Sequence, residues 1–319
     1  MSVRQPNQTV AQLCAIAIWL FFPFLCPFVA LLMLWHSNIT RAIIIPMILY
    51  SIMDRSHLKG GRPSHLFRSL SIWHTTASYF PIQLHKTSDL PSGTPYIFGF
   101  HPHGILAISH FMTFGTEALG LSKLYPDLGM VHTTTLASNF SVPIVKDYFM
   151  AVGMISVDKE ALQYVLRRGE SVVIVVGGAR EAMDARPGTN VLSLQKRFGF
   201  VKIALQTGAP LVPVFAFGEN DIWDQVDNGM GTYVRSFQEL VKKIFGFSPV
   251  LVYGRFGILP YRRDINVVIG KPMIVPKIQN PTHEDIQKYH ALYLQELQTL
   301  YDSRKDEFLP NRKEELIIA

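Results

Sequence analysis

Ser171-Val-Val-Ile-Val-Val-Gly-Gly178 decides the fold class. After Ser171, β-branched aliphatic residues run without a polar interruption as far as the two glycines. A strand with no alternation buries both of its faces, as happens when helices cover a largely parallel sheet. The same reading extends outward to Pro210–Gly218, Ile265–Gly270, Met130–Leu136 and Tyr96–Phe100. Between them, helical patterns cover Ile105–Glu117, Pro143–Val152, Lys159–Arg168 and Lys196–Thr207, the last two closed by Gly169 and Gly208. Tyr233–Ile244 reads as a basic amphipathic helix with a solvated face. Thr282–Lys305, with Asp285 three residues after Thr282, reads as a capped closing helix packed on the sheet. Strands alternating with helices predict an α/β domain with a three-layer mixed sheet flanked by helices.

The first seventy residues have a different character. No Asp, Glu, Lys or Arg lies between Arg4 and Arg41, and Val10–Trp35 is almost wholly apolar. A membrane-spanning helix needs roughly 20 such residues. A signal peptide has an apolar core of about 7–15 residues and a small-residue cleavage site, whereas here Met33-Leu-Trp-His36 follows. A second apolar run, Ala42–Met53, is short for a span, and Pro23, Pro27 and Pro46 interrupt the two runs. The expectation is an N-terminal membrane anchor over 1–70, as one span or a hairpin, followed by a catalytic domain over 71–319. Arg55, Lys59, Arg62 and Arg68 follow the second run with only Asp54 opposing them, which sets the main domain on the cytosolic side. Trp73–Leu84, aromatic and apolar, reads either as an interfacial segment or as a core helix ended by Pro81.

The chemistry centres on Tyr96-Ile-Phe-Gly-Phe-His-Pro-His-Gly104. Two imidazoles at a strand-to-helix junction suit proton transfer, because histidine titrates near neutral pH. Pro102 fixes φ between them and turns the two rings apart. Gly177 and Gly178 end the neighbouring strand and let backbone N–H groups approach a ligand oxygen, with Arg180 and Glu181 supplying charge. Base, carboxylate and N–H donors together suit acyl transfer from a thioester to an alcohol, which needs no covalent enzyme intermediate.

Composition narrows the classes. Apolar residues make up 48% of the 319 and charged residues 17%, with a net charge of +6. This balance suits a protein resting on an anionic membrane or handling phosphorylated ligands. No Lys/Arg stripe points to nucleic acid. The two cysteines, Cys14 and Cys26, sit in the apolar run, which argues against a disulfide framework, a cysteine metal cluster or a thiol nucleophile.

Phe98-Gly-Phe-His-Pro-His-Gly104, Tyr79-Phe-Pro81, Val175-Val-Gly-Gly-Ala-Arg-Glu181, Arg197-Phe-Gly-Phe-Val-Lys202, Leu211-Val-Pro-Val214 and Phe217-Gly-Glu-Asn220 together resemble the type-2 diacylglycerol and monoacylglycerol acyltransferase family. The resemblance implies acyl-CoA as donor and co-substrate, diacylglycerol as acceptor, and no cofactor or metal. It also implies residence in the endoplasmic reticulum membrane or at the lipid-droplet surface. Carried over by motif, His103 is the first choice as base and His101 the second, with Glu181 orienting and charge-stabilising the base. Tyr79, Phe80, Pro81, Gly104, Gly177, Gly178, Arg180, Arg197, Lys202, Glu219 and Asn220 become candidates for substrate binding, with Arg262 and Arg263 as further cations for coenzyme A phosphates.

Two departures stand out. Tyr253-Gly-Arg-Phe-Gly-Ile-Leu-Pro260 is shorter than the family's usual glycine-arginine-glycine stretch. Related glycerolipid acyltransferases carry an acid four residues after the histidine, where this chain has Ala107. Rival readings are a monoacylglycerol or wax-alcohol acyltransferase, a non-catalytic lipid-binding protein, and a metal hydrolase using His101, His103 and Glu181. The expected partners are the two substrates and the lipid bilayer, with a homo-oligomer left open.

Overall fold

The computed structural model describes residues 9–246 and 248–319. Arg4, the start of the charge-free stretch, lies outside them. A seven-stranded mixed sheet is built from β1 (Ile82–Lys86), β2 (Ile97–His101), β3 (Val131–Thr135), β4 (Met154–Ser156), β5 (Ser171–Val175), β6 (Leu211–Phe217) and β7 (Ile265–Ile269), in the order β1-β7-β6-β2-β5-β3-β4. β6, β2, β5, β3 and β4 run parallel, while β7 is antiparallel to β6 and carries β1 with it.

Helices flank this sheet. They are α1 (Val10–His36), α2 (Asn38–Met53), α3 (Ser71–Tyr79), α4 (Val145–Ala151), α5 (Lys159–Arg167), α6 (Gly178–Asp184), α7 (Gly199–Thr207), α8 (Tyr233–Phe245) and α9 (His283–Asp302). Phe98, Phe100, Val173, Val214 and Val267 pack into one apolar cluster with Trp73 of α3. Ile97, Val172, Ile174, Phe215 and Val268 pack into another with Val165 of α5, Val201 of α7 and Leu297 of α9. Alternate residues along each strand thus find apolar partners on opposite faces, which is why the uninterrupted β5 and β6 runs are stable there. The Thr282 cap forms, its hydroxyl accepting the Asp285 N–H at 3.1 Å.

Two readings are corrected. Of the two readings of Trp73–Leu84 the core helix ended by Pro81 forms, and what is corrected is its tail: α3 ends at Tyr79, and Ile82 begins edge strand β1. The helix read from Ile105 begins at Ile108, for a reason that lies in the site below.

α1 is the one described helix long and apolar enough to cross a membrane. Its first half lies on the body, with Trp19 against Phe111 and Phe22 against Tyr148. After an extended Ser37, α2 returns to the same body. There Lys146 of α4, fully buried, donates through Nζ to the carbonyls of Ser51 and Asp54 and pairs with the Asp54 carboxylate at 3.1 Å. A lysine thereby satisfies carbonyls that a helix end leaves without intrahelical partners. Both outer ends of the helical pair meet the body.

Candidate active site

The carboxyl ends of β2, β5 and β6 lie side by side, the place where open α/β sheets hold ligands. β2 delivers His101 opposite Phe215, with Ile97, Gly99 and His101 on the face covered by α9. The His101 Nε2 lies 2.8 Å from the Tyr293 hydroxyl, which donates to the Gly99 carbonyl at 3.2 Å. Burial pushes the His101 imidazole down to about 3, so it is neutral at physiological pH.

His103 has left the sheet and is only partly buried. Its backbone N–H donates to Glu181 Oε1 at 2.5 Å. Its ring Nδ1 lies 3.0 Å from the Gly104 carbonyl, a group that can only accept. The proton therefore sits on Nδ1 and the lone pair on Nε2. Among the described residues that Nε2 has no hydrogen-bond partner. Burial, with the Arg197 guanidinium adding to it, lowers the imidazole below its usual range, although the Gly104 carbonyl opposes the shift.

Glu181, in the first turn of α6, is buried and accepts a second N–H from Ser193 on Oε2 at 2.9 Å. The carboxylate thus fastens the exit from β2 to the loop before α7. Burial pushes it up to about 7 against the pull of both N–H donors and Arg197. A side chain at Gly177 would occupy the volume of this carboxyl, so glycine is required. Arg197 closes the corner by donating to the Gly177 carbonyl at 3.1 Å.

Beneath the histidine turn lies Glu219, just past the end of β6. Its Oε1 accepts the Ile108 N–H at 2.8 Å, and its Oε2 accepts the Ser109 N–H at 3.1 Å and the Ser109 hydroxyl. These are the orphan donors of a helix start, which is why helix begins at Ile108 rather than Ile105. Gly104 has φ +56°, and a Cβ there would stand 2.7 Å from Glu219 Cγ.

Residues 32–319 match the family model described as diacylglycerol acyltransferase. The chain belongs to that family. A diacylglycerol O-acyltransferase 1 from Schizosaccharomyces pombe is 44% identical over 311 residues, spanning 95% of this chain and 85% of the relative. A diacylglycerol O-acyltransferase 2 from Dictyostelium discoideum is 44% identical over 273 residues, spanning 83% of this chain and 82% of its own. Among solved structures, a 1-acyl-sn-glycerophosphate acyltransferase from Thermotoga maritima aligns over 94% of this chain and 98% of its own, at 14% identity and a TM-score of 0.43.

Not every motif of the diacylglycerol acyltransferase family converges here. His103, Gly104, Gly177, Gly178, Glu181 and Arg197 share one corner, with Glu219 under it. Glu181 reaches the His103 backbone, not its ring, so it holds the turn rather than the imidazole. Asn220 points away and donates to the Thr189 carbonyl at 2.9 Å. Tyr79 and Phe80 are fully buried in the core, and the Tyr79 hydroxyl donates to the Pro260 carbonyl at 2.6 Å. Arg180 is exposed on the side of Glu239, and Lys202 is exposed on α7. Arg263 lies near Asp221.

Three participants escaped the sequence reading. Ser193 acts through its backbone N–H, which leaves no mark on residue type. Tyr293 reads as a packing residue, and only its hydroxyl against His101 gives it a polar task. His110, buried between Phe100 and Phe114, is pushed down to about 3 by burial and then by His103. Its place in the first turn of the helix after the His-Pro-His-Gly turn is the signal that could have singled it out.

Proposed function

We propose that this chain transfers a fatty acyl group from acyl-CoA to the free hydroxyl of diacylglycerol, giving triacylglycerol and coenzyme A. Family membership supports the reaction class. The observation that carries the residue assignment is the His103 ring, with Nδ1 committed to the Gly104 carbonyl and Nε2 holding a free lone pair. In this reading Nε2 takes the acceptor's hydroxyl proton as its oxygen attacks the thioester carbon. The tetrahedral oxyanion then collapses, the C–S bond breaks, and the imidazolium returns the proton to the thiolate. The N–H groups of Gly178 and the first turn of α6, which have no side-chain cap, are suited to the oxyanion. Arg197, with Arg180 and Lys202 farther out, is suited to coenzyme A phosphates. His101 keeps the strand end in register through Tyr293 and does not touch substrate. The thioester supplies the activation, so the step needs no cofactor.

We further read residues 1–70 as the anchor and 71–319 as the catalytic body. The body is a three-layer arrangement facing the cytosol at the endoplasmic reticulum or a lipid-droplet surface.

The test uses microsomes expressing the chain, labelled oleoyl-CoA, and diacylglycerol, monoacylglycerol or hexadecanol in separate reactions. His103→Gln should lower label in triacylglycerol by about 10²–10⁴-fold, the usual worth of a general base. Retention within a few-fold would remove His103 from the chemistry. Label chiefly in diacylglycerol or wax ester would overturn the choice of acceptor.

A further inference from the structure

α8 is built inside out. Tyr233, Phe237, Leu240 and Ile244 form one stripe at helical spacing, and they are 96%, 55%, 55% and 62% exposed. Two of its polar side chains, Arg235 and Gln238, face inward instead. Arg235, 8% exposed, pairs with Asp184 of α6 at 2.6 Å, and Gln238, 1% exposed, accepts from Asn228 at 2.8 Å. An apolar stripe of this kind on water is costly, and a contiguous patch marks a binding surface. Tyr253 and Phe256 are two more large exposed side chains nearby: the short strand Val252–Tyr253 pairs with Asp224–Gln225, the segment leading into α8, and Phe256 follows in the next loop. Gln225 in turn donates to the carbonyls of Ala182 and Ala185, so this face is tied to the helix that carries Glu181.

Two features identify what covers it. The loop bearing Phe256 is linked to the membrane helix by a short chain of contacts: Tyr79 donates to the Pro260 carbonyl, and the neighbouring Ser78 accepts from Gln12 in the first turn of α1 at 2.9 Å. Cationic side chains stand beside the stripe. Lys243 is exposed, and the Arg255 guanidinium lies over the Phe256 ring at 4.8 Å. Aromatic and aliphatic side chains flanked by Lys and Arg are the composition of an interfacial helix.

We propose that the α8 stripe, with Tyr253 and Phe256, seats in the headgroup–acyl boundary of the leaflet that α1 enters, bringing the Glu181–His103 edge to the lipid surface. This rests on the reading of α1 as a membrane helix and extends it to a second contact. Its consequence is that an acylglycerol reaches the site from the bilayer plane without crossing water.

The test uses the full chain with Cys14→Ala and Cys26→Ala, reconstituted in phosphatidylcholine vesicles containing phosphatidylserine. Nitroxide labels go on Phe237→Cys, Phe256→Cys, Leu25→Cys in α1, and Lys288→Cys on the exposed side of α9 as the aqueous reference. Accessibility to oxygen against a water-soluble nickel chelate reports depth. Positions 237 and 256 should favour oxygen as position 25 does, with 288 favouring nickel. If 25 lies in the bilayer while 237 and 256 match 288, the proposal fails and the anchor stands. If 25 is aqueous as well, both fall. Dipolar broadening at 237 that disappears on dilution with unlabelled chain would give the face to a second copy and overturn the proposal. In parallel, Phe237→Glu with Leu240→Glu should lower turnover of bilayer-dissolved acceptor about tenfold and leave a detergent-dispersed short-chain acceptor unchanged. Equal rates on both would also overturn it. The depth measurement does not depend on catalysis, so a failed activity reading leaves it intact.

Discussion

Glu181→Gln tests the site where burial and hydrogen bonding oppose each other. The carboxylate receives the His103 N–H on one oxygen at 2.5 Å and the Ser193 N–H on the other at 2.9 Å. Burial nevertheless pushes it up from 4.5 to about 7, so at neutral pH its charged and neutral forms are equally at home in the fold. At about 1.4 kcal/mol per unit, that displacement amounts to roughly 3 kcal/mol. The sign follows from linkage. A group whose folded pKa is raised holds its proton longer when folded, so stability falls as pH rises from about 4.5 to about 7. A carboxamide cannot titrate and should remove this slope. It keeps one acceptor and turns an NH₂ toward the other N–H, at a cost of about 1–3 kcal/mol. The gap between parent and variant should therefore be smallest near pH 8 and widest near pH 5, read from thermal unfolding in nanodiscs. Turnover should fall about tenfold to a hundredfold with KM nearly unchanged, because the turn carrying His103 loses a tie while the ring keeps its chemistry. A gap that narrows as pH falls would refute the reasoning, since that is the behaviour of a carboxylate stabilised by its surroundings. Unchanged turnover would remove Glu181 from positioning.

Gly104→Ala should destabilise the chain by about 1–3 kcal/mol, because φ +56° disfavours any side chain and Glu219 stands 2.7 Å from the added carbon; unfolding midpoints of the purified chain check this, and a neutral result would mean the histidine turn can rearrange. Lys146→Met should cost about 1–3 kcal/mol by leaving the carbonyls of Ser51 and Asp54 at the end of α2 without their donor, while the Asp54 carboxylate keeps Arg62 at 2.8 Å. Limited proteolysis between 55 and 62 should accelerate in that variant, and protection equal to the parent would show that the apolar contacts of α1 alone hold the pair of helices.

How much of this was legible in the sequence depended on what each signal reports. β5 and β6 could be read because a run of Val and Ile has one stable destination, a strand covered on both faces. β1 could not, since Ile82-Gln-Leu-His-Lys86 is an edge strand lacking that signal and follows directly on a helix. The start of the helix at Ile108 is set by Glu219, 111 residues away, a distance no local pattern spans. The motif at Tyr79–Pro81 reads as a substrate contact because motif membership says that a residue is needed, not whether it faces core or ligand. The sequence reads Glu181 as a carboxylate near the histidines, yet whether it meets a ring or an amide is decided by the path of α6. α8 makes the point most sharply. The spacing of Tyr233, Phe237, Leu240 and Ile244 marks them as sharing a face, and basic residues elsewhere on the helix invite the view that this face turns inward. Arg235 and Gln238 found buried partners instead, and the apolar stripe was left outward. Periodicity states which side chains travel together. In a chain whose first helix is long and apolar enough to cross a membrane, an apolar face has two places to go, core or bilayer, and only the tertiary partners of the opposite face decide between them.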